Sequence, residues 1–164
     1  RIRVPDRSVS ELYAGTPQSD GISSISVNGS VITPPVDKGY AVINRLWKAG
    51  DKIDLKLPMK VQRIKASDKI EATKGRVALR YGPLIYSAER VDQDIDNVLS
   101  PESALSTEWK GDLLGGVMVI KGTWADGSEL TAIPNYARAN RDTSEESDRR
   151  GRGTIQSSVW LKDR

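Results

Sequence analysis

Residues 40–61 read YAVINRLWKAGDKIDLKLPMKV, and this stretch decides the fold class. Its second half alternates between polar and apolar side chains, with the apolar ones at Ile53, Leu55, Leu57, Met59 and Val61. Because successive side chains of a β-strand point to opposite faces, this alternation predicts a strand with one apolar face. The corner Ala49-Gly50-Asp51 lets a preceding strand fold back beside it. The stretch therefore predicts a half-buried antiparallel pair whose apolar face forms a wall of a core.

The composition indicates an all-β protein. Of its 164 residues, 37% are hydrophobic and none is Phe, so the core rests on Val, Ile, Leu, four Trp and five Tyr. Val and Ile favour strands, while 14 Gly and 8 Pro divide the chain into short elements. Ser100 before Pro101 predicts one short helical turn at residues 100–106. We expect antiparallel β-sandwich modules, either two or one merged sandwich.

Turn residues and apolar runs predict the other elements. Asn28-Gly29 predicts a two-residue hairpin turn, because both residues accept a positive φ. Gly82-Pro83 separates two further strand segments at residues 76–80 and 84–88. The continuous apolar run at residues 117–120 predicts a central strand buried on both faces. Polar loops are expected at residues 6–21 and 142–153.

The residue types exclude several classes of site. Cys and His are absent, which rules out a disulfide, a thiolate nucleophile, a Cys/His zinc site and a Ser-His-Asp triad built from this chain. The net charge of +3 comes from intermixed basic and acidic residues, so we expect no nucleic-acid partner. No stretch approaches the roughly 20 apolar residues that span a bilayer, so no membrane partner is expected.

The chain starts at Arg1 rather than Met, which predicts a fragment or a processed piece. The residues leave the compartment of the parent protein open, with a periplasmic or extracellular location as one option.

Two groups of residues are candidates for ligand binding. Asp92, Asp94 and Asp96 alternate as at the start of a calcium loop, but the sixth position is Asn97 instead of Gly. A solvated acidic loop is the favoured interpretation, and no bound metal is expected. The flat faces of exposed aromatic residues can stack on sugar rings, and Trp160 and Tyr40 are among the possible residues. The selected candidates are Trp47, Trp109, Trp124 and Tyr136. Core packing is the alternative role for these rings in a chain without Phe.

A self-sufficient glycoside hydrolase would need two carboxylates facing each other across a cleft. The glutamates of this chain stand in no recognisable motif, namely Glu71, Glu89, Glu102, Glu108 and Glu129. We therefore expect no catalytic residue.

Three segments resemble the C-terminal β region of glycoside hydrolase family 127, the β-L-arabinofuranosidase-like proteins. The first is residues 39–59, with Gly39-Tyr40, Trp47, Gly50-Asp51 and the run LKLPM. The others are GRVALRYGPLIY at residues 75–86 and LTAIPNYARANR at residues 130–141, followed by Val159-Trp160-Leu161. Their order and spacing agree along most of the chain, which departs from the family in its two long polar loops.

The resemblance implies that the chemistry lies outside this chain. Family members resemble one another in an N-terminal (α/α)6 barrel with a zinc-bound cysteine nucleophile and an acidic residue, followed by β-sandwich modules. None of those motifs occurs here, so neither a catalytic residue nor a cofactor carries over. The implied role is a non-catalytic accessory region whose partner is the barrel, with a glycan as a further candidate partner. The alternatives are an independent carbohydrate-binding module and, least favoured, a self-sufficient carboxylate-dependent hydrolase.

The expected organisation has a first module at residues 1–63, to which a final strand at residues 155–164 returns, and a second module at residues 64–154. In the family the first module begins further upstream, so unpaired strand edges are expected in it. A flat apolar patch would favour the supporting role. Exposed coplanar aromatics, or a concave face lined by Tyr and Trp, would favour carbohydrate binding.

Overall fold

The computed structural model describes residues 1–6, 10–140 and 156–163. This part of the chain is almost entirely β, which confirms the fold class, and its two helices are three-residue 3-10 turns at Glu71–Thr73 and Asn135–Ala137. The strands in chain order are β1 (Ile2–Arg3), β2 (Tyr13–Thr16), β3 (Ser24–Val27), β4 (Ser30–Ile32), β5 (Val36–Asp37), β6 (Tyr40–Ala41), β7 (Ile53–Lys56), β8 (Val61–Ala66), β9 (Arg76–Tyr81), β10 (Leu84–Glu89), β11 (Ser106–Lys110), β12 (Val117–Thr123), β13 (Glu129–Pro134), β14 (Ser157–Ser158) and β15 (Leu161–Lys162).

The strands form three sheets with antiparallel pairing. Two small sheets have the orders β1-β6-β5 and β4-β3-β7. The large sheet has the order β11-β12-β13-β10-β9-β8-β2, with β14 beside β10 and β15 beside β9. No helix among the described residues has the length and apolar character needed to cross a membrane.

The main core lies on one face of the large sheet. Leu79 pairs with Tyr86, and Ala132 pairs with both Ala88 and Ile120, so these side chains share that face. Trp124 packs against them together with other fully buried apolar residues, namely Val77, Leu99, Leu130 and Leu161. A smaller cluster contains Val117, Val119, Ile133 and Ala137. The prediction that the run at residues 117–120 is buried on both faces is confirmed, because Ile120 belongs to the first cluster and Val119 to the second.

The predicted hairpin at Asn28-Gly29 is confirmed. Both residues have positive φ angles, of 51° and 81°, and join β3 to β4. The pair predicted across the Gly50 corner is wrong, because β7 pairs with β3 while β6 pairs with β1 and β5. A side-chain link explains the register. Asn28 Nδ2 donates to Asp51 Oδ1 at 2.8 Å, and Lys52 N donates to Asn28 Oδ1 at 2.9 Å, so the hairpin turn holds the start of β7.

Three other expectations differ from the structure. The loop expected at residues 6–21 contains β2, which pairs with β8 at the edge of the large sheet. In place of the helical turn expected at residues 100–106, the structure has a hydrogen-bonded turn, closed by the bond from Ser103 N to Ser100 O at 3.1 Å. The chain then extends into β11. The final strand pairs with the large sheet instead of returning to the first small sheets, because β9 and β10 provide its partners. The loop predicted at residues 142–153 lies outside the described residues.

Candidate functional site

The apolar residues of the opening stretch form an exposed surface. Ile53, Leu55, Leu57 and Met59, here called the apolar stripe, are between 39% and 46% exposed. Leu55 and Ile53 pair with Ile25 and Val27 of β3, so all four side chains point to one face of the small sheet. The two β3 residues are buried while the β7 residues are not. The prediction that these side chains form a buried wall of the core is therefore wrong, because β7 is the outer strand of a sheet of only three strands.

The outer edge of β7 is open along the described part of the chain. Lys52 O accepts a hydrogen bond from Asn28 N at 2.9 Å, which places position 52 in a hydrogen-bonded pair with β3. Since such pairs alternate along an antiparallel ladder, the backbone N–H and C=O of Ile53 and Leu55 point away from β3. An open edge next to apolar side chains is a surface on which another segment can pack.

The end of the stripe is held in place by contacts with two other segments. Ser19 Oγ donates to Pro58 O at 2.9 Å. The Met59 side chain lies against Gly82 in the β9–β10 turn, where an added Cβ would come within 2.6 Å of Met59 Cε. The stripe is thus a positioned surface and not a loose segment.

A second feature is an aromatic cavity, defined by the rings of Tyr13 and Trp160 and the apolar side chains of Ile64, Ala78 and Ile85. Its volume is about 560 Å³. The two rings stack with centroids 6.2 Å apart and an interplanar angle of 27°. Tyr13 comes from β2, and Trp160 lies in the turn between β14 and β15, so the cavity depends on both ends of the described chain.

Two polar residues, Arg80 and Ser10, also line the cavity. Arg80 Nε donates to Gln62 Oε1 at 3.0 Å, and the buried Gln62 in turn donates from Nε2 to Pro17 O at 2.6 Å. Gly15 makes room for this arrangement, because a Cβ there would lie 3.1 Å from Arg80 Nη2. The guanidinium therefore has a defined position at the cavity wall.

The four aromatic residues predicted as sugar-stacking candidates lie in different environments. Trp47, Trp109 and Tyr136 are exposed, by 47%, 61% and 66%. The Arg45 guanidinium lies 5.1 Å from the Trp47 ring centroid, a cation–π contact. Trp124 is 1% exposed and its Nε1 donates to Gln93 Oε1 at 3.3 Å, so the prediction that its ring is open to a sugar is wrong. Trp124 fills the core of a chain without Phe.

The sequence analysis missed the Tyr13–Trp160 pair. Tyr13 stands in a segment expected to be a loop, and no local pattern connects it with Trp160. Trp160 was among the possible sugar-stacking residues and Tyr13 was not, and the contact between them depends on how the last strands return to the large sheet.

Two of the three acidic candidates of the calcium-like loop, Asp94 and Asp96, are engaged with Arg90. Its guanidinium forms ion pairs with Asp94, at 3.4 Å, and with Asp96. The hydrogen bond from Arg90 lowers the pKa of the Asp96 carboxyl. Within the described residues no three acidic, His or Cys side chains form a group that would hold a metal ion.

Several predicted glutamate candidates contact lysines. The carboxylates of Glu108 and Glu129 lie 2.7 and 3.0 Å from the ammonium groups of Lys110 and Lys121. Glu89 is buried, and its Oε1 accepts a hydrogen bond from Ala139 N at 2.7 Å. Glu108 and Glu129 thus belong to ion pairs with lysines, and Glu89 is a buried carboxylate that binds the backbone.

The chain matches two consecutive domains of one family. Residues 61–147 match the glycoside hydrolase family 127 C-terminal domain, and residues 1–59 match the beta-L-arabinofuranosidase GH127 middle domain. A non-reducing end beta-L-arabinofuranosidase of Bifidobacterium longum subsp. longum is 29% identical over 160 residues, which cover 77% of this chain and 23% of that protein.

Solved structures give the same result. A GH127 beta-arabinofuranosidase superposes with a TM-score of 0.75 at 30% identity, covering 94% of this chain and 25% of the other. A GH127 beta-L-arabinofuranosidase from Geobacillus stearothermophilus T6 gives a TM-score of 0.72 at 28% identity, covering 93% and 27%. This chain thus spans about a quarter of the length of these relatives, and proteins of the family have a catalytic domain alongside the matched domains. The chain belongs to glycoside hydrolase family 127 and covers its middle and C-terminal domains.

Proposed function

We propose that this chain is a non-catalytic supporting region of a glycoside hydrolase and that it docks on the catalytic domain through the apolar stripe. The parent enzyme would act on β-L-arabinofuranosides, as the names of the relatives state. The division at residues 63 and 64 into a first and a second module stays part of this proposal. The catalytic domain would be the (α/α)6 barrel that the family resemblance implies.

The observation that carries the proposal is the exposure of the stripe. Four large apolar side chains at alternate positions of the chain are each about two-fifths exposed, and the first two lie on the outer strand of their sheet. Covering such a surface is favourable, by about 25 cal/mol for each Å² of apolar area removed from water. Large apolar side chains exposed beside an open strand edge mark a candidate interaction site.

The catalytic domain is the occupant that the comparisons favour. The relatives are about four times as long as this chain, and the family has a catalytic domain besides the two matched domains. A second copy of this chain on the stripe is the competing outcome that the test must separate.

The test replaces Leu55 by Asp in the parent enzyme that carries this chain. A charge in a covered apolar contact should lower the thermal midpoint of the parent and its rate of arabinofuranoside hydrolysis, through a loss of about 1.5 to 3 kcal/mol. The matched control is Val31→Asp, because Val31 is 73% exposed and points to the opposite face of the same small sheet.

Equal effects of both substitutions, or no effect of Leu55→Asp, would contradict docking through the stripe. Dissociation of a dimer by Leu55→Asp, with unchanged activity, would assign the stripe to a second copy instead. Hydrolysis of an arabinofuranoside by the 164-residue chain alone would contradict the non-catalytic role.

Carbohydrate binding is the second candidate function. The concave aromatic cavity between Tyr13 and Trp160 favours it, since this is the type of surface on which a sugar ring packs.

A further inference from the structure

We propose that the aromatic cavity binds a sugar residue, with the rings of Tyr13 and Trp160 as its apolar wall and Arg80 as its polar anchor. The proposal goes beyond the supporting role, and only the choice of sugar rests on the proposed function.

The size of the cavity suits a small ligand. Its volume of about 560 Å³ lies within the roughly 300 to 1,000 Å³ that are usual for ligand sites. Its floor is formed by apolar side chains of β8, β9 and β10, which belong to the large sheet. Because these strands are paired on both sides, the floor is a rigid surface.

The chemistry of the wall is that of a sugar site. A sugar ring has C–H faces that pack on aromatic rings, and hydroxyl groups at its edge that need hydrogen-bond partners. Tyr13 and Trp160 supply the apolar wall, while Arg80 and Ser10 lie at the same cavity. A purely aliphatic ligand would use the wall and none of the polar groups, and an inorganic anion would use Arg80 and none of the wall.

The polar anchor is preorganised. The Arg80 guanidinium is oriented by Gln62, whose own amide is tied to the Pro17 carbonyl, and it passes close to the bare backbone of Gly15. Such fixed orientation lowers the entropy that a ligand must overcome on binding. Ser10 is oriented as well, because its Oγ accepts a hydrogen bond from Tyr13 N at 3.1 Å, which leaves its hydroxyl hydrogen available to a ligand.

The experiment titrates the chain with methyl β-L-arabinofuranoside, followed by calorimetry and tryptophan fluorescence. Wild type should show saturable binding with a dissociation constant of about 1 mM or tighter. Tyr13→Ala should weaken binding about tenfold, equivalent to ~1.4 kcal/mol, because it removes one ring of the wall. The control Leu46→Ala removes an exposed apolar side chain outside the cavity and should bind as wild type does.

A second variant keeps both rings. Gly15→Ala places a methyl group 3.0 Å from Ile64 Cδ1 and 3.1 Å from Arg80 Nη2, so it should weaken binding by displacing the anchor. Circular dichroism checks that each variant has the wild-type fold.

Four results would overturn the sugar site. They are no saturable binding by wild type, equal binding by Tyr13→Ala, loss of binding in Leu46→Ala, and equal affinity for hexanol, which would assign the cavity to apolar ligands. None of them bears on Leu55, so failure of the sugar site and failure of the supporting role can be told apart.

Discussion

β7 and β9 have the same kind of sequence pattern and opposite environments. Leu55 in β7 is 40% exposed, whereas Leu79 in β9 is 1% exposed. β9 lies between β8 and β10, and its apolar face is covered by Trp124 and other residues of the main core. β7 is the outer strand of a three-stranded sheet. Alternation thus tells which side chains share a face of a strand, while burial depends on what else packs there.

The largest expected effect compares Leu79→Ala with Leu55→Ala in this chain. Loss of Leu79 leaves a cavity in the main core and should cost about 2 to 5 kcal/mol of unfolding free energy. Loss of Leu55 should cost about 1 kcal/mol or less, because much of its side chain is already in water. Urea denaturation measures both values, and equal losses would show that the stripe is covered in the isolated chain.

The next largest effect concerns a buried hydroxyl group in the main core, close to Leu79. The Tyr86 hydroxyl is buried and has no hydrogen-bond partner within the described residues. Burial raises the pKa of Tyr86 to about 12, and the nearby Tyr136 and Tyr81 act in the same direction. Folding thus favours the neutral form of the Tyr86 hydroxyl. The resulting contribution to stability is complete below the unfolded pKa of about 10 and is lost as pH rises through about 12.

Tyr86→Phe should therefore leave stability at pH 7 unchanged or raise it by up to ~1 kcal/mol, and should reduce the alkaline loss. Chemical denaturation at a series of pH values measures this. Tyr13→Phe is the control, because the Tyr13 ring is half-exposed, and it should keep the wild-type alkaline profile. A marked loss of stability at pH 7 in Tyr86→Phe would show that the hydroxyl has a partner.

The smallest effect concerns the corner before β7. The pKa of the Asp51 carboxyl is lowered, first by the hydrogen bond from Asn28 and then by the bond from Lys48 N at 2.9 Å. A lowered folded pKa stabilises the fold above the unfolded value of about 4, and this stabilisation is lost as pH falls through the folded pKa. Asp51→Asn should flatten the acid limb of the thermal midpoint plotted against pH.

Asp54→Asn is the matched control for the corner, since the Asp54 carboxylate forms a surface ion pair with the exposed Lys52 and has no part in the link to Asn28. Its acid limb should follow that of wild type. If both variants flatten the limb equally, the effect comes from overall charge and not from the Asn28 link.

Local signals predicted much of the fold. The Asn28-Gly29 turn, the β9–β10 hairpin and the buried run in β12 follow from positive φ, a Gly-Pro turn and a continuous apolar sequence, all of which act over a few residues. The pairing of β7 did not follow, because the side chain of Asn28 bonds to a corner far along the chain. The sequence predicted the apolar stripe and the aromatic cavity only in part. The exposure of the stripe and the contact between Tyr13 and Trp160 both depend on segments that are distant in the chain.

The sequence alone determined the all-β class, the lack of cysteine and histidine chemistry and the resemblance to family 127, because composition and short-range patterns carry this information. The tertiary structure decided that Trp124 is core, that the stripe is open, and that β14 and β15 join the large sheet beside Tyr13. The physical reason is that burial and aromatic contacts are set by whichever distant segments pack together. A local sequence pattern predicts which side chains share a face of a strand, and only the packed chain determines which residues they contact.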